Sequence, residues 1–150
     1  MASAQDRDPV ARAAALFEEG FNCAEAVAAA FAERHGASPE TALRAACALG
    51  AGVSRTGQTC GAVSGALIAI GLAHGRTEAR DAAAKERTYA IGAAFCARFR
   101  SIHGSLACPE LLGVDIATPE GWRAAREAGL FRTRCPDLVR SAAAIVAELG

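Results

Sequence analysis

The stretch CGAVSGALIAIGLA, residues 60–73, contains no charged side chain. Thr59 stands before it as an N-cap, so it reads as a helix that is apolar on every side. Such a helix belongs at the centre of a bundle with other helices wrapped around it. It is too short and too interrupted to cross a bilayer, which takes about 20 residues. Gly57, Gly61 and Gly65 recur at four-residue spacing. Residues four apart share one helix face, so Gly61 and Gly65 are expected to let a neighbouring helix pack closely. GQTCGAVSG (57–65) is not a phosphate loop, because the G-x-x-x-x-G-K-[ST] pattern and its lysine are missing. No strand precedes it, as a dinucleotide fingerprint requires, and it lacks the G-x-S-x-G elbow of hydrolases.

The flanking sequence is punctuated as helices, with a capping residue or proline at each start and a glycine at most ends. Asp8 and Pro9 open a helix to about Glu19, stopped by Gly20. Asn22 opens a second, with Glu25 placed for a capping box, ending at His35-Gly36. Ser38 and Pro39 open a third that runs into Gly50–Gly52, and VSRTGQT follows as a loop. The apolar helix ends at His74-Gly75. Thr77 opens a long fifth helix with a stripe of Ile91, Phe95, Phe99 and Ile102, ending at His103-Gly104. A short turn, PELLG, comes next. A helix follows from Thr118-Pro119 to about Ala128, and the last starts at Pro136. No alternating strand pattern is found. The expected architecture is an all-α, single-domain bundle of about six to seven helices around a buried Ala/Gly-rich central helix, spanning residues 1–150.

Bulk properties agree. At 150 residues one domain is the default, and a chain of this size buries about 68–70% of its unfolded surface without needing disulfides. Lys plus Arg equals Asp plus Glu, 16 each, and aromatic residues are few. Neither nucleic acid nor an anionic membrane is an expected partner. The polar start, MASAQDRDPV, lacks the form of a signal peptide, so a cytoplasmic location is expected. In a reducing compartment, the six cysteines point to metal binding, catalysis or burial rather than structural disulfides.

Four of the six fall at expected helix starts. Cys23 follows the Asn22 cap and Cys60 follows Thr59, each at a first helical position. Cys108 and Cys135 each precede a proline, in ACPELL and RCPDLV, as N-cap candidates. Unpaired N–H groups and the helix dipole favour thiolate over thiol there. A free cysteine titrates near 8.5, and such surroundings bring it to roughly 3.5–7.5. The same donors would tune sulfurs that ligate a metal. There is no C-x-x-C, so a shared site has to be assembled by folding. Any single cysteine at a helix start is ordinary in an alanine-rich chain; four together are not. Cys47 and Cys96 fall inside expected helices and read as buried filler, or as spare partners for a disulfide.

His35, His74 and His103 each precede a glycine, which suits cations at helix C-termini. His103, five residues before Cys108, is also a candidate proton carrier. Arg55, five residues before Cys60, reads as a solvated loop charge, or as a group that stabilises a Cys60 thiolate or holds an anionic substrate. Trp122 and Tyr89 read as packing residues.

FNCAEAV, TCGAVSGALIAIGL, ACPELLGVD and RCPDLV together resemble the C_GCAxxG_C_C family. Its CGAxxG motif corresponds to Cys60–Gly65, and its three other cysteines to Cys23, Cys108 and Cys135. The resemblance spans about residues 17–149. It implies redox activity through the cysteines and a functional link to a transporter. A similar domain in split-Soret cytochromes implies an iron–sulfur precedent, but no C-x-x-C-H haem-attachment motif is present here.

Cys60 is thus expected as the reactive thiolate of a thiol redox protein, with Cys23, Cys108 or Cys135 resolving it as a disulfide. The partner is then a redox protein or a small thiol or disulfide. Alternatively, Cys23, Cys60, Cys108 and Cys135 ligate an iron–sulfur cluster or zinc. A third reading is a helical interaction module without chemistry. A second copy of the chain is an admissible partner under each.

Overall fold

The computed structural model describes residues 7–150; the reading of MASAQD as a polar start lies outside them. Every regular element among the described residues is helical. Helix α1 is Pro9–Glu19, α2 Cys23–Ala32, α3 Pro39–Ala46, α4 Gly61–His74 and α5 Ala82–His103. Helix α6 is Cys108–Leu112, α7 Pro119–Glu127, α8 Leu130–Thr133 and α9 Cys135–Leu149. All seven expected helices are present, and α6 and α8 are additional short turns of helix.

The caps are those the sequence advertises. The Asp8 carboxylate accepts from Val10 N, and Gly20 closes α1 in the left-handed conformation. At α2 the capping box is complete: Asn22 Oδ1 accepts from Glu25 N and Glu25 Oε1 from Asn22 N, both at 2.9 Å. Asn22 Nδ2 also donates to Cys47 O at 3.0 Å, which ties the start of α2 to the end of α3. Asn22→Ala removes the cap and this tie together. We expect a loss of about 1–2 kcal/mol, measured as a lower urea midpoint at unchanged m-value.

Helix α4 packs on α2 at the centre of the molecule. A Cβ on Gly65 would lie 2.5 Å from Ala24 O, and one on Gly61 would lie 3.1 Å from both Ala24 N and Cys23 Cβ. The two glycines therefore do what their spacing suggests: they allow backbone-to-backbone contact. Phe31, Phe95, Phe99, Val27, Val63, Leu138 and Val139 fill the core around this contact. Burying each is worth roughly 1.5–3 kcal/mol.

Four expectations change. Helix α4 is not covered all round: α2, α5 and α9 pack against it, but Leu67 and Leu72 remain 38% and 36% exposed. Helix α5 starts at Ala82, not Thr77, because the Asp81 carboxylate accepts from Ala84 N at 3.0 Å and fixes the cap there. Phe95 and Phe99 are buried and stacked 5.8 Å apart, but Ile102 is exposed. At 22 residues α5 outruns α4 and α9, which have 14 and 15. Tyr89 is a surface residue, with Lys85 Nζ 5.7 Å from its ring centroid.

Candidate functional site

Three pieces of backbone bring the cysteines together. The first is the α2–α4 contact, which sets the start of α2, with Cys23, against the start of α4, with Cys60. The second is a short antiparallel bridge between the segments before α4 and α6: Cys60 N donates to Leu106 O at 2.8 Å, and Cys108 N to Gln58 O at 2.9 Å. It sets Cys60 beside Cys108. The third is Arg134, whose Nε donates to Leu111 O at 3.1 Å and docks the start of α9, with Cys135, against α6.

Each cysteine is at a helix start, with small shifts from expectation. Cys23 is the first residue of α2, as predicted. Cys60 is the N-cap of α4 rather than its first residue, while Cys108 and Cys135 are first residues rather than caps. All four line one cavity of about 650 Å³, together with apolar side chains such as Phe17, Leu111 and Phe131. Cys60, Cys108 and Cys135 are buried and Cys23 is partly exposed, and none of the six cysteines is in a disulfide.

A fifth cysteine joins them. Cys47 is exposed, sits in a 3₁₀ turn after α3 and lines the same cavity, so it is not buried filler. Helix α3 ends one residue earlier, at Ala46, rather than reaching the glycines. Cys96 is partly buried against the main core and stays apart from the site.

The cavity wall between Cys47 and Cys60 has an unusual backbone. Ala51, Gly52, Val53, Ser54 and Arg55 all have positive φ, from 54° to 67°. They form a turn of left-handed helix, which costs about 1–2 kcal/mol per residue with a Cβ, most for a branched residue such as Val53. Ser54 Oγ donates to Ala48 O and Thr56 Oγ1 to Val53 O, each at 2.7 Å, and Gln58 N donates to Gly52 O at 2.9 Å. Gly52 has a second reason to be glycine: a Cβ there would lie 2.8 Å from Cys108 Cβ. Strain of this kind persists only where the surroundings over-determine it, and it concentrates at functional sites.

Burial reorders the thiols. Sequence position singles out Cys60 as the most acidic, and the N–H groups of Ala62 and Val63 do pull its pKa down. Desolvation is larger and pushes it up to about 11. Cys108 is pushed up to about 12, first by burial and then by the neighbouring Cys60 and Cys135. Cys23 and Cys135 are neighbours in the cavity and shift each other's pKa in opposite directions. Donation from Cys23 and then the Arg134 guanidinium hold Cys135 below the ordinary thiol value, against its burial, and the same bond raises Cys23 well above it. Of the four thiols, Cys135 is therefore the one whose pKa is lowered. The cation beside the sulfurs is Arg134, not Arg55, and sequence spacing offered no sign of it beyond its place next to Cys135.

His103 does not face the cavity. Its Nε2 lies 2.7 Å from Ser141 Oγ and its ring packs 4.5 Å from Phe99, joining α5 to α9, so it is a structural residue rather than a proton carrier for the cysteines. Trp122, by contrast, lines the cavity and lies under the Arg55 guanidinium at 4.0 Å.

Four thiols are the right donor type for zinc or an iron–sulfur cluster. Among the described residues, however, no three Cys, His, Asp or Glu side chains are arranged to hold one metal ion.

An all-α bundle that turns four cysteine-bearing helix starts into one cavity defines a class of helical, cysteine-based protein. The sequence profile of the C_GCAxxG_C_C family, described as "putative redox-active protein", matches residues 21–149, and the chain belongs to that family. No curated protein and no solved structure matches it. Among the described residues no helix is long and apolar enough to cross a membrane.

Proposed function

We propose that this protein is a thiol–disulfide redox protein in which Cys135 attacks and Cys23 resolves. The observation that carries this reading is that Cys23 and Cys135 line one cavity and lie close enough for each sulfur to shift the other's pKa. The Cys135 thiolate attacks a substrate disulfide R–S–S–R, forming a Cys135–S–S–R mixed disulfide and releasing RS⁻. Cys23 then passes its proton to a released thiolate and attacks the Cys135 sulfur. The Cys23–Cys135 disulfide forms and the second RS⁻ leaves. The substrate gains two electrons and the protein dithiol loses them; an external dithiol, small or protein-borne, restores the reduced pair. Cys60 and Cys108 complete the site as neutral thiols. Mild oxidation followed by thiol trapping and peptide mapping is expected to return Cys23 coupled to Cys135 before any other pair. Coupling confined to Cys47 or Cys96 overturns the reading.

A second reading rests on the convergence of four sulfurs on one cavity: Cys23, Cys60, Cys108 and Cys135 as ligands of an iron–sulfur cluster or zinc. Anaerobic purification with an absorbance spectrum and metal analysis separates the two. Stoichiometric metal, lost in Cys→Ser variants, replaces the thiol reading with this one.

A further inference from the structure

Beside the cysteine cavity lies a second one of about 400 Å³, lined by Arg55, Ile116, Ala117, Thr118, Pro119, Trp122, Arg123 and Arg126. Three of these eight side chains are guanidinium groups and none is acidic. Asp115, the nearest acid in sequence to Ile116, is not in the wall, and its Oδ1 accepts from Ala117 N at 2.9 Å. The ion pairs among the described residues are Arg98–Glu148 and Arg140–Asp137, so Arg55, Arg123 and Arg126 have no acidic partner there. Arg55, Ile116 and Trp122 are common to both cavities. Stacking on Trp122 orients the Arg55 guanidinium and leaves its N–H fork free to bind an oxyanion. The left-handed turn that ends at Arg55 is what delivers this side chain to the boundary.

We infer that the Arg55–Arg123–Arg126 cavity is the anchoring subsite for the anionic end of a small disulfide or thiol, whose sulfur reaches the cysteine cavity across the Arg55–Trp122 boundary. The inference rests on the thiol–disulfide reading of that cavity and specifies its substrate: a molecule carrying a carboxylate or phosphate near the sulfur. The arginines hold the anion and take no part in the exchange, whose atoms and electrons balance as above.

The test uses the full-length reduced protein and three aliphatic disulfides of similar size: dithiodipropionate (dianionic), bis-hydroxyethyl disulfide (neutral) and cystamine (dicationic). Dithiodipropionate should form the Cys135 mixed disulfide about tenfold faster than the neutral compound at low ionic strength, with cystamine slowest. In an Arg123→Gln/Arg126→Gln variant the anionic-to-neutral ratio should fall to about one. Suberate, an unreactive analogue with methylenes in place of the sulfurs, gives a second readout. It should shift the fluorescence of Trp122, the single tryptophan of the chain, and the shift should vanish in the double variant and in high salt. Equal rates for the three disulfides, or no suberate response, overturn the anion subsite. If no disulfide of any charge reacts while suberate still binds, the thiol reading fails and the anion subsite stands.

Discussion

Cys135→Ser is expected to abolish formation of the mixed disulfide, lowering the rate of reaction with a neutral disulfide by at least about a hundredfold, because a hydroxyl at that position has no accessible anion. Cys23→Ala should do something different. With no second sulfur to complete the exchange, the Cys135–substrate mixed disulfide accumulates and is detected as a mass increase. The same change removes the donor that stabilises the Cys135 thiolate. The sign follows directly: loss of a hydrogen bond to the charged form raises the pKa, so the pH–rate profile of Cys135 moves upward towards the ordinary thiol value. Below both pKa values each unit of that shift lowers the thiolate fraction about tenfold. A more basic thiolate is also a better nucleophile, with a Brønsted slope of about 0.4–0.5, so the net loss is about threefold per unit. A Cys135 profile unmoved by Cys23→Ala rules out the hydrogen-bonded pair as the source of its acidity.

The second large effect is on the fold. Gly65→Ala places a methyl where the backbone carbonyl of Ala24 stands 2.5 Å away. Backbone cannot swing aside as a long side chain can, so α2 and α4 have to separate. Overpacking of this kind costs about 1–3 kcal/mol, occasionally more, and here it outweighs the gain of up to about 1 kcal/mol from replacing a helical glycine by alanine. The melting temperature should fall by several degrees, at roughly 2–4 °C per kcal/mol for a chain of this size. The shift should also reach the site, since Cys23 is the residue just before Ala24: disulfide formation between Cys23 and Cys135 should slow. Gly71→Ala is the internal control. It lies in the same helix with nothing within 4 Å of the added carbon, and should stabilise the protein by about 0.5–1 kcal/mol. Equal effects of the two substitutions would mean that the glycines serve helix propensity alone.

Much of this architecture is written in local chemistry. The Asn22–Glu25 capping box, the Ser38 and Thr118 caps and the Gly20 stop are pairwise features within a turn of one another, and they place the helices to within a few residues. The Gly61/Gly65 spacing is legible for the same reason: four residues bring two side chains to one helix face. Where a stronger cap competes nearby, as Asp81 does with Thr77, local reading picks the wrong start. The left-handed turn at Ala51–Arg55 is invisible locally, because four of its five residues carry a Cβ and prefer the opposite hand; its contacts to Ala48, Gln58 and Cys108 impose it.

The sequence by itself determined that the protein is all-α, that four cysteines stand at helix starts, and that two glycines open one face of the apolar helix to close contact. Helix starts, caps and faces depend on neighbours a few residues away, so a linear reading reaches them. Tertiary structure alone decided which sulfur is the acidic one. The dipole and N–H groups at a helix start are local and favour Cys60, but desolvation depends on everything packed around the sulfur, and at Cys60 it is the larger effect. Cys135 is also buried, yet it meets Cys23 from the other end of the chain and has Arg134 beside it. Cys47 entered the site, and His103 left it, for the same reason: the direction a side chain faces in the folded bundle is set by packing between helices.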